Sequence, residues 1–151
     1  MMKTIVHFLF PLKPDNKGYS LFLLAFRLLF GGLLLVHGIQ KWMSFAELSQ
    51  VFPDPLGVGS SVSLGLAIFG EVACSLAFIF GVFYRLAVIP MIFTMGVAFF
   101  VVHGGDPFAV KELAFAYMMV YAIMFVAGPG RYAFDRILAE ALTKKSPSRT
   151  D

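Results

Sequence analysis

Arg27, His37, Lys41, Glu71, His103 and Glu112 are out of keeping with their surroundings, since each stands in or beside a long apolar run. A carboxylate near the middle of a membrane-crossing helix costs at least about 2.5–3.5 kcal/mol on insertion scales. Glu71 therefore pairs with a cation, keeps its proton, or faces a water-filled cavity, and each of these suits a group that exchanges protons. The guanidinium of Arg27 can hold such a carboxylate charged, while His37 and Lys41 can hydrogen-bond a small polar ligand. His103 and Asp106 follow one apolar stretch, and Lys111 and Glu112 precede the next. With His37, Lys41 and Glu71 they are candidates to line one pocket. The plainer alternative makes Asp106, Lys111 and Glu112 ordinary interfacial residues, and Glu71 with Arg27 a structural ion pair that fixes two helices in register.

Other chemistries are poorly supplied. No nucleophile–base arrangement, phosphate-binding loop or metal motif is present. The single cysteine, Cys74, leaves no intrachain disulfide and no CxxC pair. Two histidines on different helices raise haem or metal ligation, but a bis-histidine haem needs both rings facing inward at matched depth. His37 lies inside its span and His103 at the edge of another, so haem is disfavoured. Met91 and Met95, four apart, read as core packing rather than as a soft-metal pair.

The elements that position these residues follow from composition. Of 151 residues, 59% are apolar and 14% charged, and mean hydropathy is +0.83. Soluble domains are about 45–50% apolar and about 25% charged, and so small a body cannot hide the excess. The chain reads as an all-α polytopic membrane protein, a four-transmembrane-helix bundle. The spans are Tyr19 to Met43, Val62 to Tyr84, Leu86 to Val102, and Leu113 to Ala127 extended through Lys111 and Glu112, against a requirement of about 17–25 residues. Residues 1–18 read as a cytoplasmic arm rather than a signal peptide, because Pro11 cuts its apolar run short. Residues 19–136 form the membrane domain, and 137–151 a cytoplasmic tail. Within RYAFDRILAEALTKK, apolar residues alternate with charges at helical spacing, which suits an amphipathic helix on the membrane surface.

Basic residues set the orientation. Lys3, Lys13, Lys17, Arg85, Arg131, Arg136, Lys144, Lys145 and Arg149 fall on one side, so both termini are expected inside, with loops 44–61 and 103–111 outside. The net charge of +3 flanks membrane segments and implies no nucleic acid.

On the first span, Arg27, Gly31, Gly38 and Lys41 share one stripe at about 100° per residue, and its glycines allow a close helix neighbour. At about 1.5 Å per residue, His37 lies about 8 Å from the outer end, Glu71 about 14 Å and Arg27 about 22 Å. Arg27 is the expected ground-state partner of Glu71. Lys41 is expected to snorkel outward beside Trp42 at headgroup level.

RLLFGGLLLVHGIQKW, GEVACSLAFIFGVFYR, AFFVVHGG and GPGRYAFD, in that order, resemble the successive signatures of the DoxX-like family of small four-helix membrane proteins. The resemblance runs from about residue 20 to residue 136. It matches Arg27, His37, Gly38 and Lys41 on the first helix, Glu71, Gly81 and Arg85 on the second, and Gly128, Pro129, Gly130, Arg131 and Asp135 after the last. Ala133 stands where the family usually has serine, a change expected to weaken a local hydrogen bond and leave the frame intact. The resemblance implies a place in membrane redox processes, since relatives are linked to a quinone-reducing thiosulfate oxidoreductase and to oxidative-stress complexes.

The leading expectation is an accessory protein or subunit of a membrane redox system, at most one part of an oxidoreductase complex. It would sit in a bacterial cytoplasmic (inner) membrane, with a polar cavity for a quinone headgroup or another small polar ligand. Its expected partners are the lipid bilayer, an electron-donating redox protein and a second copy in a homodimer. The competing readings are a small proton-coupled transporter or channel, and a scaffold that recruits a soluble enzyme.

Overall fold

The computed structural model describes residues 16–144. Most of the arm expected over 1–18, including Lys3 and Lys13, and the end of the tail with Lys145 and Arg149, lie outside the described residues. The described residues are helical and contain no strand. Four helices are long and apolar enough to cross a membrane: α1 (Lys17–Met43), α3 (Ser60–Phe80), α4 (Tyr84–Val102) and α5 (Phe108–Ala127). A short α2 (Phe45–Leu48) follows α1, and α6 (Phe134–Lys144) follows α5. In space α1 packs on α3, α3 on α4, and α4 on α5, and the bundle closes weakly between α1 and α5.

Helix ends follow local chemistry. Asn16 caps α1 by accepting the Tyr19 N–H at 3.2 Å. α3 ends at Phe80 because Gly81 adopts the left-handed conformation, φ 69°. Gly81 N–H donates to Phe78 O and Val82 N–H to Ala77 O, a Schellman closure. The second span is therefore shorter than its apolar run, and Tyr84 opens α4 instead. The carboxylate of Asp135, from α6, accepts the N–H groups of Phe83 and Tyr84 at 2.8 Å each and so caps α4 from across the chain.

Leu23, Leu34, Phe78, Tyr84, Val88, Met91, Tyr121 and Met124 form the centre of the core. Met91 and Met95 are both buried there. Around it runs a belt of exposed apolar residues, among them Leu28, Leu33, Phe69, Phe93 and Ile123, the pattern of a bundle whose outer solvent is lipid. The stripe on α1 is realised: Leu23, Arg27, Gly31, Leu34 and Gly38 are its inward face. On α6, Phe134, Ile137 and Leu138 are exposed while Asp135 and Ala139 are buried, the amphipathic surface helix that the charge spacing suggests.

Two single turns depart from α geometry. Phe69–Ala73 in α3 and Ala98–Val102 at the end of α4 are π-helical. Such wide turns are rare and frequently mark functional sites. Here one carries Glu71, and the other ends at His103.

Candidate functional site

Glu71 does not pair with Arg27. Its carboxylate meets the ammonium of Lys41, with Nζ–Oε1 2.7 Å and Nζ–Oε2 2.5 Å. The Lys41 side chain is 28% exposed and that of Glu71 5%, so Lys41 turns inward rather than snorkelling to the surface. The π turn gives Glu71 this reach, because the extra residue in the turn swings the helix face beyond what an α pattern would present. Gly38 makes the approach possible. A Cβ there would stand 2.7 Å from Val72 Cγ2, 2.8 Å from Glu71 Cβ and 2.9 Å from the Glu71 carbonyl carbon. The small residue on α1 and the wide turn on α3 are thus one packing solution.

Arg27 is 1% exposed and occupied elsewhere. Its Nε and Nη2 donate to Ile79 O at 3.2 and 2.8 Å, Nη1 to Pro129 O at 2.5 Å, and Nη2 also to Tyr132 O at 2.9 Å. Ile79 O belongs to the last turn of α3, whose carbonyls lack helical partners and carry the negative end of the helix dipole. The rule that buried opposite charges seek each other fails here because backbone carbonyls compete for the guanidinium. Gly81 leaves room for it: a Cβ at that position would stand 3.3 Å from Nη1 and 2.5 Å from Ala133 Cβ. Ala133, 2% exposed, fills this contact where a larger residue would crowd it.

The Lys41–Glu71 pair lies between two cavities. The larger, about 480 Å³, runs between α3 and α4 under the loop after α2. Phe52, Pro53, Pro55 and Leu56 roof it, Leu66, Phe69, Phe93 and Val97 form its sides, and Ser63, Thr94 and His103 add polar groups. Leu66, Phe69, Phe93 and Val102 also belong to the exposed apolar belt, so this cavity opens sideways, where acyl chains would lie. The smaller, about 220 Å³, lies between α1, α4 and α5, lined by His37, Tyr117, Leu113 and Ala114 among others. Lys41, Glu71, Ala98 and His103 border both. His37 faces inward and meets the Tyr117 ring edge-on at 6.2 Å between centroids.

The structure therefore gathers His37, Lys41, Glu71 and His103 and leaves out two other candidates. Arg27 belongs to the opposite end of the bundle. Glu112 is exposed on the first turns of α5 and borders neither cavity. Asp106 holds the His103 ring, Nδ1–Oδ2 2.8 Å. Lys111 donates to Gly104 O at 2.9 Å and stands 5.2 Å over the Phe99 ring. Both steady the rim rather than line the site.

Sequence reasoning missed Tyr117, Thr94 and the roof loop. The lone threonine of the third span and a tyrosine one turn before Tyr121 were the available signals. Nothing in the sequence announces a π turn. Among the described residues, no group of three or more His, Cys, Asp or Glu could hold a metal ion.

The comparisons with known proteins agree with this architecture. The DoxX family profile matches residues 22–104, a stretch that includes Arg27, the Lys41–Glu71 pair and His103. An uncharacterised protein of Haemophilus influenzae is 25% identical over 142 residues, which are 89% of this chain and 94% of that protein. No solved structure matches. The matched stretch covers more than half of the chain, and the four apolar helices suit a protein embedded in lipid: the chain belongs to the DoxX family and is an integral membrane protein.

Proposed function

We propose that the protein binds a lipid-borne quinone or a similar flat polar headgroup in the larger cavity, as an accessory protein or subunit of a membrane redox system. The observation that carries this reading is the Lys41–Glu71 pair at the wall of a mostly apolar cavity of about 480 Å³ that opens toward the lipid. Ligand pockets are commonly about 300–1,000 Å³, apolar with a few convergent polar groups. The fit to a quinone lies in the donor set. The Lys41 ammonium and the Thr94 hydroxyl are hydrogen-bond donors for carbonyl oxygens, while Phe52, Phe69 and Phe93 add aromatic rings to the lining. When bound, a quinone supplies a two-electron, two-proton redox couple, its electrons coming from a redox protein partner. The chain's own part is to orient the headgroup, exclude bulk water and hold a proton at Glu71. The protein would sit in a bacterial cytoplasmic membrane with the Lys41 end outward, as the basic residues flanking the other end favour.

Proton-coupled transport is the weaker reading. Beyond the pair the interior is closed by Leu34, Phe78, Met91 and Tyr121, each at most 1% exposed, which favours a ligand site over a through pathway. Solute flux into proteoliposomes without any redox partner would reverse that preference.

Thermal unfolding of the detergent-purified protein with a short-chain ubiquinone tests the main reading. The wild type should be stabilised saturably, and Glu71→Gln much less. Native mass spectrometry should find a co-purified small molecule. Absence of quinone-dependent stabilisation in the wild type removes the quinone proposal.

A further inference from the structure

We infer that the smaller cavity is an aqueous antechamber, and that Glu71 is a gate passing protons from it to the ligand in the larger cavity. The inference rests on the ligand reading above and adds the route by which protons arrive.

Three observations carry it. First, Glu71 borders both cavities, so one carboxylate can face either without moving along the helix. Second, the two linings differ in kind. The larger is dominated by phenylalanine, proline and aliphatic residues. The smaller adds the imidazole of His37 and the phenol of Tyr117 to the Lys41, Glu71 and His103 that both share. At about 220 Å³ it has room for several water molecules, each taking about 30 Å³ in the liquid, and it offers the polar partners that a buried water needs. Third, it lies at the Lys41 end where α1 and α5 pack weakly. Its lining residues Val110 and Leu113 flank Lys111 and the exposed Glu112 on the first turns of α5, so the cavity opens where charged residues meet the membrane surface and water can reach it.

The groups facing Glu71 are Lys41 and His37 from α1, His103 just after α4, and Tyr117 from α5, with Tyr121 one turn further along α5 also within reach of its charge. With Lys41 bonded to both carboxylate oxygens, Glu71 is engaged and the gate is closed. A proton delivered from antechamber water to an Oε atom makes the neutral acid, which releases Lys41 toward its exposed side. Once electrons from the redox partner have made the quinone oxygen basic, the Glu71 O–H faces the larger cavity and yields its proton to that oxygen. The carboxylate is restored and Lys41 returns. Each cycle moves one proton and no electron. Lys41 is the positioning residue, and Glu71 the one that touches both water and ligand.

Blocking each cavity separately tests the gate. Ala114 borders only the smaller cavity and Ala67 only the larger. Infrared difference spectra after a pH jump, with the Glu71 signal assigned by its loss in Glu71→Gln, read protonation without any ligand or redox partner. Binding of a short-chain ubiquinone is measured in parallel. Ala114→Phe should slow the Glu71 response by about tenfold or more and leave quinone affinity near that of the wild type. Ala67→Phe should weaken quinone binding about tenfold with the Glu71 response intact. Should Ala114→Phe fail to fold, Val110→Trp fills the same cavity from an exposed position. A Glu71 signal in the wild type that ignores bulk pH overturns the gate. So does a wild-type rate in the blocked antechamber, or slowing by Ala67→Phe instead. None of these results depends on quinone binding, whose failure would count against the ligand reading alone.

Discussion

The bundle buries charge at both ends and treats it in opposite ways. At one end, Arg27 makes four hydrogen bonds to three backbone carbonyls, and nearby Asp135 closes two backbone N–H groups of α4. These charges are saturated by main chain, bind α1, α3, α4 and α6 to one another, and leave nothing to offer a ligand. At the other end, Lys41 and Glu71 bond to each other, and open space stands on both sides of them. A buried charge whose partners are all backbone is architecture. A buried pair exposed to cavities can exchange partners, and that makes it a candidate for function.

The contrast is broken most decisively by mutating each centre and measuring stability. Arg27→Leu orphans the carbonyls of Ile79, Pro129 and Tyr132 in a closed interior, and should cost about 3–5 kcal/mol, read as unfolding in detergent. Glu71→Gln leaves Lys41, already 28% exposed, free to turn to water, and should cost only about 1 kcal/mol. If Glu71→Gln proved the more damaging change, the pair would be a structural clamp and the division between the two ends would fall.

Close approach at the functional end gives a smaller effect. Gly38→Ala places a methyl group within 2.7–2.9 Å of Val72 and of Glu71, including backbone. It should cost about 1–3 kcal/mol by overpacking and displace the π turn, so quinone binding should weaken with it. Gly32→Ala, with nothing within 4 Å, is the control and should stay within about 0.5 kcal/mol of the wild type. Equal gains in the two would mean that the glycines matter only through helix propensity, which favours alanine.

Much of this was legible in the sequence, for reasons that also explain the failures. The four spans, the packing stripe through Gly31 and Gly38, and the need of Glu71 for a cation on α1 all follow from side-chain polarity and the helical period, which sequence displays directly. The choice of cation did not follow. Carbonyl acceptors carry no sequence signature, so the claim of Ile79 O, Pro129 O and Tyr132 O on Arg27 was invisible. The expectation that Lys41 snorkels rests on its place at the outer end of α1, and neither a lysine's ability to reach inward nor a π turn at Glu71 is visible from that place. Glu112 stands at the start of the fourth span, beside the outer mouth in sequence, yet on α5 it is exposed, because its place along the chain does not fix which face of the helix it occupies. The roof loop over the larger cavity comes from a turn held by one aspartate, a tertiary feature that composition marks only as a loop.

That aspartate sets the smallest and most specific prediction, because the two ends of the molecule should respond to acid with opposite sign. Asp54 accepts from Ser63 Oγ at 2.7 Å, Gly59 N at 2.7 Å and Val58 N at 3.0 Å. The Ser63 hydroxyl first, then the Gly59 N–H, hold its carboxyl below the usual aspartate range. A lowered acid stabilises the fold above its unfolded value and loses that contribution as pH falls through the folded one. Asp135 is displaced upward because burial outweighs its two N–H bonds, so its contribution runs the other way: the fold gains as pH falls through the raised value toward the ordinary one. Acidification should therefore expose the Val58 and Gly59 amides to hydrogen exchange while the Phe83 and Tyr84 amides stay protected down to lower pH. Asp54→Asn should flatten the first dependence and leave the second unchanged. Since Pro53, Pro55 and Leu56 roof the larger cavity, quinone affinity should fall with the protection of Val58 and Gly59. An affinity that holds while those amides open would show that the roof is not part of the binding site.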